Sequence, residues 1–330
     1  MSLSMPRLIG AASILALACA PAAFAQAKVN NVNNKQGNWA ETRATINANL
    51  SKVTEDVSMT SASIANSFSA SLGGNSTVNN FQDSWKNGSA NLNIKANDTL
   101  GSLTATAATI GNSASIEIDA LAGGSTSGNS VIKSTQLTHL GKFNSNLNIE
   151  GSNISGTKPD GGGPVTAITG TAAAIANSLS VNVKGDLNAT NTQYFNGDVR
   201  STINAKLNDI TGDVTLTSAA IANSASFETT DSKKVNVNNT QMAGYDPTAL
   251  TNLQLGKVVG DVSVTTAAIS NSLSVSTLPA TASLNVNSNQ QNRAYTEATA
   301  NIKLGDVTGS VSATSAAIGN SVSINNLPKF

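Results

Sequence analysis

The sequence contains few of the residues on which most catalytic and metal sites depend. Among its 330 residues there is one cysteine, Cys19, and one histidine, His139. A zinc site of the usual cysteine and histidine type needs more such ligands than the chain contains. His139 has no acidic neighbour in the sequence, so we expect a surface residue rather than a catalytic base. We therefore predict no enzymatic activity, no catalytic residue, no metal site and no cofactor.

Charged and aromatic residues are also scarce. Charged residues make up 12% of the chain and aromatic residues 4%, and the 19 basic side chains balance the 19 acidic ones. A neutral chain offers no electrostatic attraction for nucleic acid. Ala, Ser, Thr, Asn, Gly and Val take up the remaining positions and bury little bulky side chain per residue. This composition is typical of a surface or fibre protein rather than a globular enzyme.

Residues 1–25 have the pattern of a secretory signal peptide. Arg7 precedes an apolar run from Leu8 to Ala20 that is too short to span a membrane, and Ala23-Phe24-Ala25 fits a cleavage site. The alternative is a lipoprotein that is cut before Cys19 and acylated there. With cleavage after Ala25 the exported chain has no cysteine, so strand pairing and packing must stabilise it without disulfides.

A six-residue phrase recurs along the rest of the chain: an apolar residue, a small residue, Asn, Ser, any residue, Ser. Its asparagines are 46, 65, 46, 48 and 49 residues apart: Asn66, Asn112, Asn177, Asn223, Asn271 and Asn320. A period of this length is typical of a solenoid, a propeller or another repeat array. We interpret residues 26–330 as a single repeat domain of six imperfect repeats of about 47 residues each. Their approximate bounds are 28–73, 74–121, 122–184, 185–231, 232–280 and 281–330.

Alternating apolar and polar residues within each repeat predict β-strands. The sixth repeat has such runs at 284–287, 300–304 and 307–311, and a fourth at its copy of the phrase. Gly-Asp pairs such as Gly212-Asp213, Gly260-Asp261 and Gly305-Asp306 predict corners. No helical periodicity lies between the runs. We therefore predict an all-β fold, a repetitive β-solenoid rod resembling a β-helix. With two coils per repeat, about twelve coils about 4.8 Å apart would form a rod of roughly 55–60 Å.

The recurring asparagine has a predictable environment. If the phrase is one continuous strand, Asn177 points to the same side as Ile175 and Leu179, into the core. A buried amide without a partner costs about 1–3 kcal/mol. Two arrangements avoid this cost. The asparagine of the next coil can be the partner, in a hydrogen-bonded ladder, or the asparagine can lie at a left-handed corner of the chain, a conformation that Asn tolerates. In both cases we expect a structural role for all six asparagines.

Five aromatic residues follow the first strand of their repeats: Trp39, Trp85, Tyr194, Tyr245 and Tyr295. They predict either a row of sugar-stacking platforms along one edge or caps on the ends of a thin core. The third repeat is longer than the others and contains residues 155–164, where two prolines bracket three glycines. We expect a surface loop there, either a binding excursion or a tolerated insertion.

The phrase Ala-Ala-Ile-(Ala/Gly/Ser)-Asn-Ser-x-Ser, as in Ala316 to Ser323, suggests a family when combined with the signal peptide and the Asn-rich strands. The chain resembles the holdfast attachment proteins of stalked alphaproteobacteria and, more loosely, curli-like functional-amyloid subunits. The resemblance covers all six repeats. It implies export through a curli-type outer-membrane pore to the cell surface, the outer membrane or the medium. It also implies a role in tying adhesive polysaccharide to the cell envelope.

A solenoid has unpaired strand edges at its two ends, and such edges favour association. We therefore expect an exported structural or adhesive cell-surface protein that self-associates or anchors an extracellular polysaccharide adhesin to the outer envelope. The expected partners are further copies of the chain, extracellular polysaccharide or other adhesin subunits, and the secretion pore, but not nucleic acid. The alternative is a monomeric polysaccharide-binding solenoid module without filament formation, which would bind sugar through the aromatic edge or residues 155–164.

Overall fold

The computed structural model describes residues 30–119, 128–156, 166–278 and 283–326, and every regular element in these ranges is a β-strand. The prediction of an all-β protein is confirmed. The strands are β1 (Asn30–Asn38), β2 (Thr42–Ser51), β3 (Val57–Gly73), β4 (Ser76–Ser84), β5 (Gly88–Leu100), β6 (Leu103–Asp119), β7 (Gly128–Ser155), β8 (Thr166–Thr211), β9 (Asp213–Thr230), β10 (Lys234–Ala243), β11 (Pro247–Leu255), β12 (Val258–Val259), β13 (Val262–Leu278), β14 (Ser283–Asn292), β15 (Glu297–Lys303), β16 (Val307–Thr308) and β17 (Val311–Asn326). No helix in the described ranges is long and apolar enough to cross a membrane. The predicted signal peptide, Cys19 and residues 157–164 of the predicted loop lie outside them.

The strands pair in parallel, and each strand lies beside its counterpart from the next copy of the sequence pattern. We call the three strands in each copy the first, second and third strands. Among the described residues the first strands are β1, β4, the beginning of β7, the middle of β8, β10 and β14. The second strands are β2, β5, the end of β7, the end of β8, β11 and β15. The third strands, which carry the recurring phrase, are β3, β6, the beginning of β8, β9, β13 and β17.

The pairing register gives one layer of strands per copy of the pattern. Asn66 lies opposite Asn112, and Asn223 lies opposite Asn271, so the offset between paired strands is the full spacing of the phrase. The expectation of two coils per repeat was therefore wrong. The six layers in the described part of the chain are separated by five gaps of about 4.8 Å, which gives a stack about 24 Å long.

The expected third and fourth segments of the fifth repeat are one strand, and the fourth strand of the last two copies is instead a two-residue strand between the second and third strands, β12 or β16. The run Val262-Ser263-Val264 and the following copy of the phrase both lie in β13, which has 17 residues. The Thr and Ala residues between them pair in register with β9 and β17, so nothing interrupts the strand. Residues 61–66 and 315–320, where alanine is frequent, lie in β3 and β17.

The core lies between the third strands on one side and the first and second strands on the other. One cluster joins second strands to the beginnings of third strands, for example Ile203 to Leu216. Another joins first strands to the ends of third strands, for example Val237 to Val275. A third cluster between them contains Phe143 and a group of alanines. Full burial of a Leu, Ile, Val or Phe side chain contributes about 1.5–3 kcal/mol, so this thin core is the main source of stability.

The alternation of inward and outward residues breaks once in every third strand. In β9, Ile221 points outward, whereas Ala222 and Asn223 are both buried although they are adjacent. The expectation that the isoleucine shares the inward face with the asparagine was therefore wrong. The extra inward residue is always small, is buried in the four inner layers and is left without a register partner in every pair: Ala65, Gly111, Ala176, Ala222, Ser270 and Gly319.

The corners before the third strands depend on glycine. Gly212 and Gly260 have φ angles of 117° and 149°, a region that other residues rarely adopt. The aspartates that follow link the layers, because Asp213 Oδ1 accepts a hydrogen bond from the Asp261 backbone N–H at 2.9 Å. Both predicted corners are found. The third predicted corner, Gly305-Asp306, lies at the bend between β15 and β16. The glycine of the last layer that corresponds to Gly260 is Gly309 (φ 144°), two residues before β17.

The small residue beside the ladder asparagine has no room to grow. We expect Ala222→Leu to lower the free energy of unfolding by about 1–3 kcal/mol, because the larger side chain overpacks a closed site. Ala219→Leu in the same strand is the matched control, since Ala219 points outward and should change stability by less than about 0.5 kcal/mol. Urea denaturation of dilute protein measures both values. Equal losses for the two variants would contradict the packing described here.

Candidate functional site

The six recurring asparagines form a continuous hydrogen-bonded ladder through the stack. Each Nδ2 donates to the Oδ1 of the next asparagine along the chain: Asn66 to Asn112 (2.8 Å), Asn112 to Asn177 (2.9 Å), Asn177 to Asn223 (2.8 Å), Asn223 to Asn271 (2.9 Å) and Asn271 to Asn320 (2.8 Å). The four inner residues are fully buried, while Asn320 in the last layer is exposed. Burial inside the stack makes these hydrogen bonds costly to break.

Each of the first five asparagines also ties the third strand to the first strand across the core. Asn177 Nδ2 donates to the Tyr194 carbonyl at 3.0 Å, and Asn223 Nδ2 donates to the Met242 carbonyl at 3.0 Å. The equivalent acceptors of the other three are the carbonyls of Asp83, Leu137 and Gln291. Both amide hydrogens are thereby used, one along the stack and one across it. Aspartate could not replace these residues, because it has no N–H to donate.

A second buried ladder, built of glutamines from the first strands, was not found by the sequence reasoning. Each Nε2 donates to the Oε1 of the preceding glutamine at 2.7–2.9 Å: Gln82 to Gln36, Gln136 to Gln82, Gln193 to Gln136, Gln241 to Gln193 and Gln290 to Gln241. Each Nε2 also donates to a serine carbonyl of a third strand, for example Gln193 to Ser224 at 2.8 Å. The available signal was the recurrence of these glutamines at nearly the same spacing as the asparagines.

A third amide ladder runs along the outer face of the second strands. Its members are exposed or half-buried and donate to the preceding asparagine at 2.6–2.9 Å: Asn93 to Asn47, Asn148 to Asn93, Asn204 to Asn148, Asn252 to Asn204 and Asn301 to Asn252. Two shallow grooves of about 330 and 380 Å³ lie along this ladder. Lys95 and Glu150 form an ion pair at 3.3 Å beside it.

The structure assembles an aromatic row from part of the predicted edge. The rings of Trp39 and Trp85 stack with centroids 5.1 Å apart and planes within 10°. The His139 ring stacks on the other side of Trp85 at 4.1 Å, and Tyr194 lies beside His139 at 6.1 Å in a tilted arrangement. Tyr245 is not in this row among the described ring contacts.

His139 has no acidic neighbour in the sequence, but the fold places an acidic side chain beside it. Its side chain is only 24% exposed, and its Nε2 lies 3.3 Å from Asp83 Oδ1. Trp85 Nε1 donates to the other carboxylate oxygen of Asp83 at 2.8 Å. Asp83 is 56 positions away in the sequence, so only the strand pairing brings the two side chains together. Among the described residues, no three His, Cys, Asp or Glu side chains are grouped so that they could hold a metal ion.

The stacking limits which aromatic residues can bind a sugar. A sugar stacks on an open ring face, and both faces of Trp85 are covered by Trp39 and His139. We therefore do not expect Trp85 to be a sugar platform in this arrangement. Trp39 is 64% exposed in the first layer, and Tyr245 and Tyr295 are 50% and 68% exposed. For these three residues sugar stacking stays a prediction.

Comparison with known proteins gives one family. A family model described as holdfast attachment protein D matches residues 164–329. The chain belongs to this family. The resemblance to holdfast attachment proteins is thereby confirmed, and it gives the chain a role in holdfast adhesion at the cell surface. No curated protein and no solved structure matches the chain.

In this holdfast attachment protein the ladders extend beyond the region that the family model matches. The matched residues contain Asn177, Asn223, Asn271 and Asn320, and the ladder continues without a break through Asn112 to Asn66. The two halves of the described chain therefore share one stacking geometry. The Thr138 hydroxyl also joins the asparagine ladder, because it accepts from Asn112 Nδ2 at 3.2 Å and donates to Asn177 Oδ1 at 2.9 Å.

Substituting a buried and an exposed asparagine of the same layer distinguishes the effect of burial on stability from that of the hydrogen bonds alone. We expect Asn223→Ala to destabilise the protein by about 3 kcal/mol, because it leaves buried amide and carbonyl groups of Asn177, Asn271 and Met242 unpaired. Asn204→Ala removes the same two inter-layer bonds on the outer face, where water replaces them, and should cost less than about 1 kcal/mol. Denaturant titration of both variants measures the difference, and similar losses would contradict a stabilising role specific to the buried ladder.

Proposed function

We propose that this holdfast attachment protein is an exported β-solenoid of six imperfect repeats that associates end to end. The resulting fibre would anchor extracellular polysaccharide adhesin to the outer envelope. Family membership and the parallel one-layer-per-copy pairing support this proposal. The signal peptide at residues 1–25 and passage through an outer-membrane pore are part of it.

The two end layers leave core residues uncovered. In the last layer Val311, Val322 and Ile324 are 42–48% exposed, although their counterparts one layer earlier, such as Val262 and Leu273, are buried. In the first layer Ile46, Leu50, Val57 and similar residues are only partly buried. The exposed strand edges also carry unpaired backbone N–H and C=O groups, which can pair with another chain.

The polarity of the buried ladders is the observation that carries the proposal. The asparagine ladder ends at Asn320, whose Nδ2 has no further layer to donate to, and begins at Asn66, whose Oδ1 has no preceding donor. The glutamine ladder runs the opposite way, so Gln290 ends it with an acceptor and Gln36 begins it with a donor. The last layer of one copy therefore offers one donor and one acceptor that match the first layer of the next copy.

The same register would place similar side chains over one another at this junction. Following the pairing through all layers, Val286 lies in the column of Val32, Ile302 in that of Ala48, and Val311 in that of Val57. A second copy added at the end would therefore continue apolar and amide columns alike. Such a head-to-tail contact does not close on itself and generates a filament.

A filament suits an anchor, because many identical copies present the same outer surface along one axis. Each copy then needs to hold adhesive polysaccharide only weakly for the assembly to hold it firmly. The exposed amide ladder of the second strands is repeated in every layer and gives each copy regularly spaced hydrogen-bonding groups.

One substitution at the last layer tests the end-to-end contact. Asn320→Asp keeps the oxygen that accepts from Asn271 but replaces the outward donor by a charged acceptor, which would face Asn66 Oδ1 of the next copy. We expect filaments of the unaltered protein in electron micrographs and none with Asn320→Asp. Asn325→Asp is the matched control, since it adds the same charge in the same strand on the outward side. Filaments of equal length in all three proteins would contradict the proposal.

The second candidate is a monomeric polysaccharide-binding module, which the open face of Trp39 and the exposed Tyr245 and Tyr295 favour. Under this alternative, Trp fluorescence of the unassembled protein should change on titration with cellohexaose or its N-acetylated counterpart, chitohexaose. Trp39→Ala should remove the response, whereas Thr202→Ala on a second strand should leave it unchanged. Saturable binding by protein that never forms filaments would favour the module over the fibre.

A further inference from the structure

The outward side of the third strands is a regular surface that the end-to-end contact does not use. Six columns of equivalent residues, one residue per layer, make up this surface, which we call the third-strand face. Going along the strand, the columns contain Ser or Thr (58, 104, 169, 215, 263, 312), Thr (60, 106, 171, 217, 265, 314), Ala (62, 108, 173, 219, 267, 316), Ile (64, 110, 175, 221, 269, 318), Ser (67, 113, 178, 224, 272, 321) and Ser (69, 115, 180, 226, 274, 323).

None of the residues in the six columns that define the third-strand face is charged, and the next outward column of the third strands, beyond Ser69 and its equivalents, carries Glu117 and Glu228. The chain as a whole is 12% charged, and the outward side of the second strands carries Arg43, Lys95, Glu150, Lys206 and Lys303. The isoleucines of the third-strand face are half-buried or exposed, with Ile64 at 41% and Ile318 at 36%. A continuous isoleucine column beside an alanine column is an exposed apolar stripe that runs the length of the stack. Depletion of charge around an apolar stripe is typical of the centre of a protein interface.

The side chains of the third-strand face are also suited to close contact. Ile and Thr are β-branched and have restricted χ1 angles, while Ala and Ser are small, so little side-chain entropy is lost on contact. Short uncharged side chains on a regular strand face can interdigitate as in the dry interface between paired sheets.

We propose that the third-strand faces of two copies pack against each other about a two-fold axis that runs parallel to the stack, between the Ala and Ile columns. This contact uses a face rather than an end and does not depend on the end-to-end association. Where both contacts form, the fibre contains two strands of stacked copies.

The order of the columns makes the face complementary to itself under that symmetry. The two-fold axis places each Ala column opposite an Ile column of the partner, so that large side chains meet small ones at the centre. It also places the Thr column opposite the nearer Ser column, and the outer Ser/Thr column opposite the outer Ser column, where hydroxyl groups can pair. Because both copies keep the same stacking direction, all layers stay aligned.

The available area is sufficient for a stable contact. Six layers about 4.8 Å apart and the 12 residues from Ser58 to Ser69, rising about 3.3 Å each, give a face of about 1,100 Å² per copy. A standard protein interface buries about 800 Å² per partner. A flat face of this size, packed at the sheet-to-sheet distance of about 10 Å, therefore provides a complete interface for a second copy.

The first test measures association while end-to-end stacking is blocked. In sedimentation velocity, full-chain protein with Asn320→Asp should be a dimer. Adding Ile221→Lys should raise the dimer dissociation constant at least about 100-fold, because two unpaired lysines would face the apolar centre of the interface. Thr202→Lys, added instead, is the matched control on the second strand of the same layer and should leave the dimer intact. A monomeric Asn320→Asp protein, or a dimer insensitive to Ile221→Lys, would overturn the proposal.

A second test does not require Asn320→Asp to work and so separates this proposal from the end-to-end one. In full-chain protein with Cys19→Ser, Ala219→Cys should be cross-linked between chains by a short bis-maleimide, whereas Thr202→Cys should not. The expected yield difference is several-fold, in filaments or in dispersed protein alike. Equal cross-linking yields would show that the third-strand face is not the contact between copies. Loss of polysaccharide binding in monomeric Ile221→Lys protein would assign the face to a sugar instead.

Discussion

The in-register parallel pairing of the strands constrains every other feature of this protein. Each residue lies about 4.8 Å from the equivalent residue of the next layer, so any side chain in the pattern meets copies of itself. Apolar residues and amides tolerate this repetition, but like charges at that distance repel. The outward column Asn49, Lys95, Glu150, Lys206, Gln254 and Lys303 accordingly has no two adjacent residues of the same charge. The low charge content of the chain follows from the same constraint.

The amide ladders explain why a protein with few large side chains can hold a thin core together. The amide groups of Asn and Gln carry a donor nitrogen and an acceptor oxygen side by side, so an identical neighbour one layer away can satisfy them. The asparagine and glutamine ladders also bond to backbone carbonyls on the opposite side of the core, as Asn177 does to Tyr194 and Gln193 to Ser224. The sheets are thus joined by hydrogen bonds where the small alanines near Phe143 and Phe195 provide little contact area.

The sequence was sufficient for the all-β class, because apolar and polar residues alternate, and for the family, because Asn66 and its equivalents recur in a recognisable phrase. The sequence was insufficient for the number of layers. The Thr and Ala residues before Ile269 resemble a break between two strands, but they belong to one strand. The side on which Ile221 lies was missed because Ala222 and Asn223 are buried in succession, which simple alternation does not anticipate. The glutamine ladder was missed because its neighbours differ, for example Lys35 before Gln36 and Phe81 before Gln82. The place of His139 in the aromatic row became visible only from the pairing of β4 with β7.

The central claim is that each copy of the pattern contributes one layer, and a distance between spin labels tests it most directly. Asn47 and Asn301 are the first and last members of the exposed ladder and are five layers apart. With Cys19→Ser and cysteines at these two positions carrying nitroxide labels, dilute protein should give an electron–electron distance near 24 Å, the length of five strand spacings. A distance of about 45 Å or more, as two coils per repeat would produce, would contradict the one-layer stack and the ladders that depend on it.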